Sequence, residues 1–211
     1  MQGQPARKLT EKGAATRQRI VRAAADLVLE RGAAGTSLED IRAATHTSKS
    51  QLFHYFPDGK GELVSAIGAF QAERVLDAQR PFLDQLDTWE SWEGWRDAVL
   101  EHYSTQPHWG CPVGALTAEL IHSEPNRAAE SVAHMERWRM HLETGIVRLI
   151  EAGPLRPDTE PRTLSLAIFA TLQGGLTLTA QTQSIDPLQA ALDGALVLLR
   201  AHAIGAHTAT L

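Results

Sequence analysis

The chain has 211 residues, enough for one large or two small domains, and its 43% hydrophobic content is that of a soluble globular protein. It contains no run of about 18 apolar residues of the kind that spans a membrane. Its first residues, MQGQPARKLTEKGAATRQR, lack the apolar core of a signal peptide, and its one cysteine, Cys111, excludes an internal disulfide, so a cytoplasmic protein without a membrane partner is expected.

Helical periodicity runs along nearly the whole chain. Thr16 is expected to cap a first helix, in which Ile20, Ala24, Leu27, Val28 and Arg31 recur at helical spacing and Gly32 follows the end. Residues 1–15 read as a flexible basic arm whose Arg7, Lys8 and Lys12, with Arg17 just beyond, can follow phosphates or enter a minor groove, or merely aid solubility. The segment TSLEDIRAATHTSKSQLFHYFPDGKGEL, residues 36–63, carries two capping-box signatures, Thr36 with Glu39 and Ser48 with Gln51. Leu38 and Ile41 supply one short apolar stripe, and Leu52 with Phe56 supply the next. Only the polar turn from Ala44 to Thr47 separates them, which is helix-turn-helix spacing and places Lys49, Ser50 and Gln51 at the opening of a recognition helix. A fourth helix spans residues 62–79, until Pro81 breaks it. Five more helical stretches follow: SWEGWRDAVLEHYS, PVGALTAELIHS, NRAAESVAHMERWRMHLETGIVRLIEAG, PRTLSLAIFATLQGGLTLTAQTQ and DPLQAALDGALVLLRAHA. Pro107, Gly110, Pro112 and residues 153–161 mark loops, and residues 205–211 form a frayed tail.

About nine helices and no strands make this an all-α chain. Charge divides it at Lys60: residues 1–60 hold ten Lys and Arg against six Asp and Glu, a net of +4, and the remainder holds ten against nineteen, a net of −9. All four lysines lie in the first part and all five tryptophans in the second. A basic reading head on an acidic body suits a nucleic-acid partner better than the overall charge of −5 suggests.

The Thr-rich second-helix start, the Ser-Lys opening of the third helix and LFHYF followed by Pro and Lys resemble the DNA-binding domain of TetR-family transcriptional regulators. FPDGKGEL and GCPVGALTAEL resemble the LmrA/YxaF-like subgroup, whose members respond to small lipophilic compounds. The chain departs from the family pattern at three positions. His46 stands at the usual turn glycine, Arg42 at a small residue and Phe53 at a phosphate-contacting tyrosine. At position 46 a left-handed conformation is expected, which His tolerates worse than Gly.

The resemblance implies domains at 16–60, helix-turn-helix and DNA-binding, and at 61–204, regulatory, ligand-binding and dimerising. Expected DNA contacts are Thr36, Ser37, Ser48, Lys49, Ser50, Gln51, His54, Tyr55 and Lys60. Gln51 suits an adenine edge unless its amide is held in its own cap, Lys49 suits guanine or phosphate, and His54 and Tyr55 match phosphate-touching positions. Arg42 reads as a solvated charge or an extra phosphate contact. Candidate lining for a flat lipophilic ligand is Trp95, Trp109, Leu116, His122, Trp138, His141, Phe169 and Gln173, each of which can equally be core, since Trp92, Trp95 and Val99 already recur as a buried face. The penultimate helix holds Gly174 and Gly175, and a helix-interior glycine costs about 1 kcal/mol against Ala, which suggests a close approach either to a second copy or within the chain. A homodimer interface is expected at Leu166, Ala170, Gly174 and Thr177 of that helix and Leu188, Leu192 and Leu196 of the last.

No cofactor is expected. His134 and His141 share a helix face but stand seven residues apart, too far for a helical zinc pair. Cys111 reads as a structural residue or a redox sensor. The sequence holds no nucleophile elbow and no phosphate-cradling glycine loop, so no catalytic residues are assigned. The expected function is repression from a palindromic operator, released when a ligand leads the fourth helix to swing the two readers apart. The alternatives are a ligand-binding or scaffold protein with a degenerate head, prompted by His46 and Phe53, and an activator using the same head.

Overall fold

The computed structural model describes residues 9–106 and 108–205. Among them are α1 (Glu11–Arg31), α2 (Leu38–Thr45), α3 (Lys49–Tyr55), α4 (Lys60–Asp77), a 3-10 turn at Phe82–Asp84, α5 (Trp89–Ser104), α6 (Pro112–Ser123), α7 (Pro125–Ala152), α8 (Pro161–Thr182) and α9 (Asp186–Arg200). The one β feature among the described residues is a bridge between Leu155 and Ala203. Two compact units meet at Phe70 and Gln71, ten residues further along than the charge boundary suggests.

The first unit has its own core: Ile20, Val21, Ala24 and Ala25 of α1, Ile41 of α2, Leu52 of α3 with Phe56 just past it, and Leu63 and Ile67 of α4. Leu63 and Ile67 account for the shifted boundary, because the first half of α4 is needed to close the head. α1 starts earlier than expected. Thr10, not Thr16, is its cap, with Oγ1 accepting from the Gly13 amide at 3.2 Å, while Thr16 donates back to the Lys12 carbonyl from inside the helix. Part of the expected arm is therefore helical, and residues 1–8, with Arg7 and Lys8, lie outside the described residues.

The cap of α2 is also one residue off expectation. Ser37 accepts from the Asp40 amide at 3.1 Å and the Asp40 carboxylate accepts from the Ser37 amide at 2.9 Å. Thr36 instead turns inward, fully buried, and donates to the Gly32 carbonyl at 2.8 Å. Both pairs fit the capping-box spacing, and the burial of Ile41 and Thr45 decides between them. The cap of α3 is as expected, with Ser48 and Gln51 bonding reciprocally at 3.1 Å.

Between them His46 takes the left-handed conformation, φ 52° and ψ 38°. Two arginines hold the carbonyls around it. Arg19 Nη1 donates to Thr45 O at 2.6 Å, and Arg42 Nε reaches Thr47 O at 3.4 Å while its Nη1 pairs with Glu39. Arg42 is thus part of the turn and of α2, neither a free surface charge nor a free phosphate ligand.

In the second unit α8 packs along α9, α7 on α6 and α8, and α5 on the 3-10 turn and α9. The glycine pair of α8 divides its two readings. A Cβ on Gly175 would lie 2.5 Å from Ala191 Cβ and 3.2 Å from Pro187 O, so this glycine permits the α8–α9 contact inside the chain. A Cβ on Gly174 would meet nothing within 4 Å. Leu188 and Leu192 are fully buried against α8, which corrects their expected place at a dimer interface. Leu196 packs partly on the same core. The solvent face of α9 is instead Ala190, Gly194 and Val197. The helical spacing of Leu188, Leu192 and Leu196 marks an apolar face and does not tell whether that face meets α8 or a second copy.

α8 is the one described helix long and apolar enough to cross a membrane by length and composition. Its composition follows from packing on α7 and α9 along one face and from carrying a second apolar stripe on the other.

Three stability changes follow. Gly175→Ala is expected to lower the unfolding free energy by about 1–3 kcal/mol, the cost of overpacking, whereas Gly174→Ala is expected to raise it by up to about 1 kcal/mol through helix propensity. His46→Gly is expected to stabilise the first unit by about 1 kcal/mol, since a non-glycine residue in the left-handed region costs about 1–2 kcal/mol. Urea melts followed by circular dichroism check each value.

Candidate nucleic-acid interface and regulatory core

α3 is short because Ser48 fixes its start and Phe56, at φ −137° and ψ 75°, ends it. Leu52 and Phe56 bury the inner side, leaving Lys49, Ser50, Gln51 and His54 exposed and Tyr55 half-buried. Ser37 and Ser48 are exposed caps, and Lys60 opens α4, half-buried. Of the nine expected DNA contacts only Thr36 is withdrawn, because its side chain is fully buried. Phe53 stands 40% exposed, an apolar ring at the surface at the position where the family resemblance implies a tyrosine.

Gln51 is constrained more than expected. Its Oε1 accepts the Ser48 amide, so in this conformation only Nε2 is free to face a base, and a bidentate adenine contact requires the cap to open. The Ser48 hydroxyl also lies 3.1 Å from that of Ser50. His54 meets Tyr55 edge-on at 5.0 Å between ring centroids.

Beside α3 runs a groove of about 340 Å³ lined by Leu9, Thr10, Lys12, Gly13 and Thr16 of the α1 start and by Gln51, His54 and Tyr55. Lys12 therefore borders the recognition helix, a placement the expected arm did not include. Arg17 is not available in the same way: its guanidinium stacks over the Phe56 ring at 4.9 Å. Asp40 is kept below the usual carboxylate range by the hydrogen bonds from Ser37.

The second unit buries an aromatic core. Trp92 and Trp95 meet at 5.6 Å edge-to-face, as do Trp138 and Phe169 at 5.3 Å. Trp95 Nε1 and Trp138 Nε1 both donate to Gln79 Oε1, at 2.8 and 2.9 Å. Trp95, Leu116, Trp138 and Phe169 are buried, and Trp109 and Gln173 are half-buried. His122 is exposed on α6, so it lines no interior site. His141 belongs to a separate solvent-open cleft with Leu83, Asp84, Arg137, Met140, Thr144 and Arg148. There burial pushes its imidazole below the usual range, against the pull of Asp84.

A small apolar gap of only about 10 Å³ lies among Ala72, Val75 and Leu76 of α4, Val113 of α6, and His134, Met135 and Trp138 of α7. Of the expected lining residues only Trp138 borders it. Val75, Leu76 and Met135 were missed, although Ala72, Val75 and Leu76 follow helical spacing and could have been read as a face. Cys111 caps α6, its buried thiol accepting from the Gly114 amide at 3.3 Å. Burial pushes that thiol above its usual pKa. Among the described residues no three His, Cys, Asp or Glu side chains gather as a metal site.

Two family models match the chain. The one described as "Bacterial regulatory proteins, tetR family" covers residues 20–67, and "Tetracyclin repressor-like, C-terminal domain" covers residues 92–195. The HTH-type transcriptional regulator LmrA of Bacillus subtilis is 26% identical over 178 residues, 82% of this chain and 90% of that protein. The HTH-type transcriptional repressor DhaR of a Mycobacterium species is 24% identical over 179 residues, 82% of this chain and 86% of its own. A TetR transcriptional regulator from Chloroflexus aurantiacus superposes with a TM-score of 0.79 at 27% identity, covering 92% of this chain and 98% of that one. These relatives are regulators, not enzymes. With both family models matched and an exposed recognition helix in place, the chain belongs to the TetR family and is a DNA-binding transcriptional regulator.

Proposed function

We propose that this regulator is a repressor that binds a palindromic operator as a homodimer and is released by a small lipophilic ligand. The observation that carries the reading is the pairing of an exposed, capped recognition helix with a second unit whose α8 presents an unpartnered apolar face. Leu166 is 55% and Leu178 51% exposed, with Ala170, Gly174 and Thr177 also at the surface. Val197 of α9 is 69% exposed beside the open Gly194. Small and apolar residues on adjoining helices suit an isologous helix-helix contact. Two copies joined there give two readers for two half-sites. The relative DhaR, named a repressor, supports repression over activation.

The aromatic core supports a lipophilic effector. The gap beside Trp138 is too small for one as it stands, so the ligand must widen it, and α4 supplies one of its walls. The first half of α4 is core to the DNA-reading unit. Stabilising the widened form at the expense of the closed one is the differential affinity that a switch requires.

Anisotropy titration of DNA from upstream of the gene against a scrambled duplex tests the reading. The native fragment is expected to bind on the order of 10³-fold tighter or more, with affinity falling steeply with salt. Equal weak binding to both would remove the operator-specific reading. Lys49→Ala is expected to cost about 1–3 kcal/mol of operator binding. Gly174→Arg is expected to convert dimer to monomer by light scattering while leaving the helical signal intact, since that position opens to solvent. A dimer that survives this change would move the interface elsewhere.

A further inference from the structure

We propose that Tyr103, Cys111 and Gln173 form the polar end of the effector site, and that this end takes the carbonyl oxygen of a flat, otherwise apolar compound. The inference rests on the effector reading above and adds the chemistry of the ligand. Tyr103, in the last turn of α5, is only 2% exposed, and its hydroxyl finds no oxygen or nitrogen partner among the described residues. The Gln173 Nε2 is likewise buried without an oxygen or nitrogen partner. Both side chains reach the Cys111 sulfur, and their weak hydrogen bonds to it oppose the rise in thiol pKa that burial causes. The sulfur is already engaged by the Gly114 amide at 3.3 Å. The Gln173 Oε1 lies 3.4 Å from where a Cβ on Gly114 would stand, which brings α8 against the first turn of α6. Two donors whose one acceptor in reach is a weak thiol sulfur therefore converge on the α6 cap from two different helices.

Buried donors satisfied only by a thiol sulfur gain little, and a carbonyl oxygen would be a stronger acceptor for both. Here the surroundings supply the rest of a ligand site. Val113, two residues after Cys111, lines the small apolar gap with Trp138 and Met135. Phe169, one turn before Gln173, meets Trp138 edge-on. Tyr103 and Cys111 belong to the same buried cluster as Val113, Trp138 and Phe169, so a ligand that widens the gap from Val113 would meet apolar lining and a few convergent polar groups, the combination that orients small ligands. Burial holds the phenol and the thiol above their usual pKa values, so both keep their protons. The trio is neutral and rich in donors. It matches an uncharged acceptor, and a protonated buried thiol does not act as a thiolate nucleophile.

The test uses the full chain and two probes of nearly equal shape, 2-acetylnaphthalene and 2-ethylnaphthalene, titrated by calorimetry against the wild type, Tyr103→Phe and Gln173→Met. The acetyl compound is expected to bind wild type about ten-fold tighter. That preference is expected to shrink to about two-fold or less in each variant. Tyr103→Phe is expected to melt at about the same temperature as wild type or higher, because it removes a buried hydroxyl whose one partner is a weak thiol sulfur. Equal affinity of the two probes for wild type, or a preference that survives both substitutions, would overturn the polar anchor while leaving a lipophilic site in place. A marked fall in melting temperature for Tyr103→Phe would overturn it too, by giving the hydroxyl a structural bond. Binding of neither probe would overturn both the anchor and the flat lipophilic effector.

Discussion

The second unit is keyed by one buried carboxamide. Gln79 lies two residues past the end of α4 and is 1% exposed. Its Oε1 accepts the indole N–H of Trp95 from α5 and of Trp138 from α7, and its Nε2 donates to Val75 O at 2.6 Å. An amide oxygen has two lone pairs, and both are in use. Two tryptophans in a dry core would each bury an unsatisfied N–H without it, at about 1–3 kcal/mol apiece. The aromatic core is therefore held in register by polar contacts, and Trp138 then sets the place of Phe169. A second such device ties α7 to α8. Arg139, 3% exposed, bonds Glu136, Glu143 and Ser165, and its charge is compensated from both of its own helix's neighbouring turns.

The same tether gives the proposed switch its physical content. The apolar gap is walled by Val75 and Leu76 on one side and Trp138 on the other. Gln79 binds Trp138 and, through Val75 O, the last turns of α4. Widening the gap by displacing Trp138 or Val75 would strain hydrogen bonds that hold the C-terminal end of α4. Leu63 and Ile67, in the other half of that helix, are core residues of the head. Coupling free energies between sites are typically about 1–3 kcal/mol. That is the scale of one or two buried hydrogen bonds.

What could be read from sequence was what local chemistry decides. The Ser48 and Gln51 cap, the stripe of Leu52 and Phe56, and the left-handed His46 all depend on residues within a few positions of one another. The errors fall where two local solutions compete and tertiary packing chooses. Thr36 and Ser37 both begin a valid capping box, and burial of Thr36 selects Ser37. The apolar face of α9 with Leu188, Leu192 and Leu199 fits a partner helix or α8 equally by spacing, and packing turns it onto α8. Gln79 gave no signal, because a lone glutamine near a helix end looks solvated until the indoles that need it are brought from 16 and 59 residues away. His122 and His141 were grouped with the tryptophans by residue type, and residue type carries no information about which side of α6 or α7 faces the core.

The distribution of cations in the head follows the difference between its two basic side chains. Several of its arginines are engaged by the protein itself. Arg17 stacks on Phe56, Arg19 holds Thr45 O, Arg31 pairs with Asp40 at 3.7 Å, and Arg42 is shared between Glu39 and Thr47 O. A planar, fork-shaped guanidinium is suited to such fixed carbonyl and ring contacts. Lys12, Lys49 and Lys60, by contrast, form no ion pair or side-chain hydrogen bond among the described residues, and they stand beside α3, at its first turn and at the start of α4. A flexible ammonium is a point charge suited to a phosphate whose place varies along a duplex. The net charge of +4 in the first 60 residues therefore understates how selectively the head is charged: its internal pairs leave mobile lysines around the recognition helix, while a body of −9 has no lysine to compete for the same phosphates.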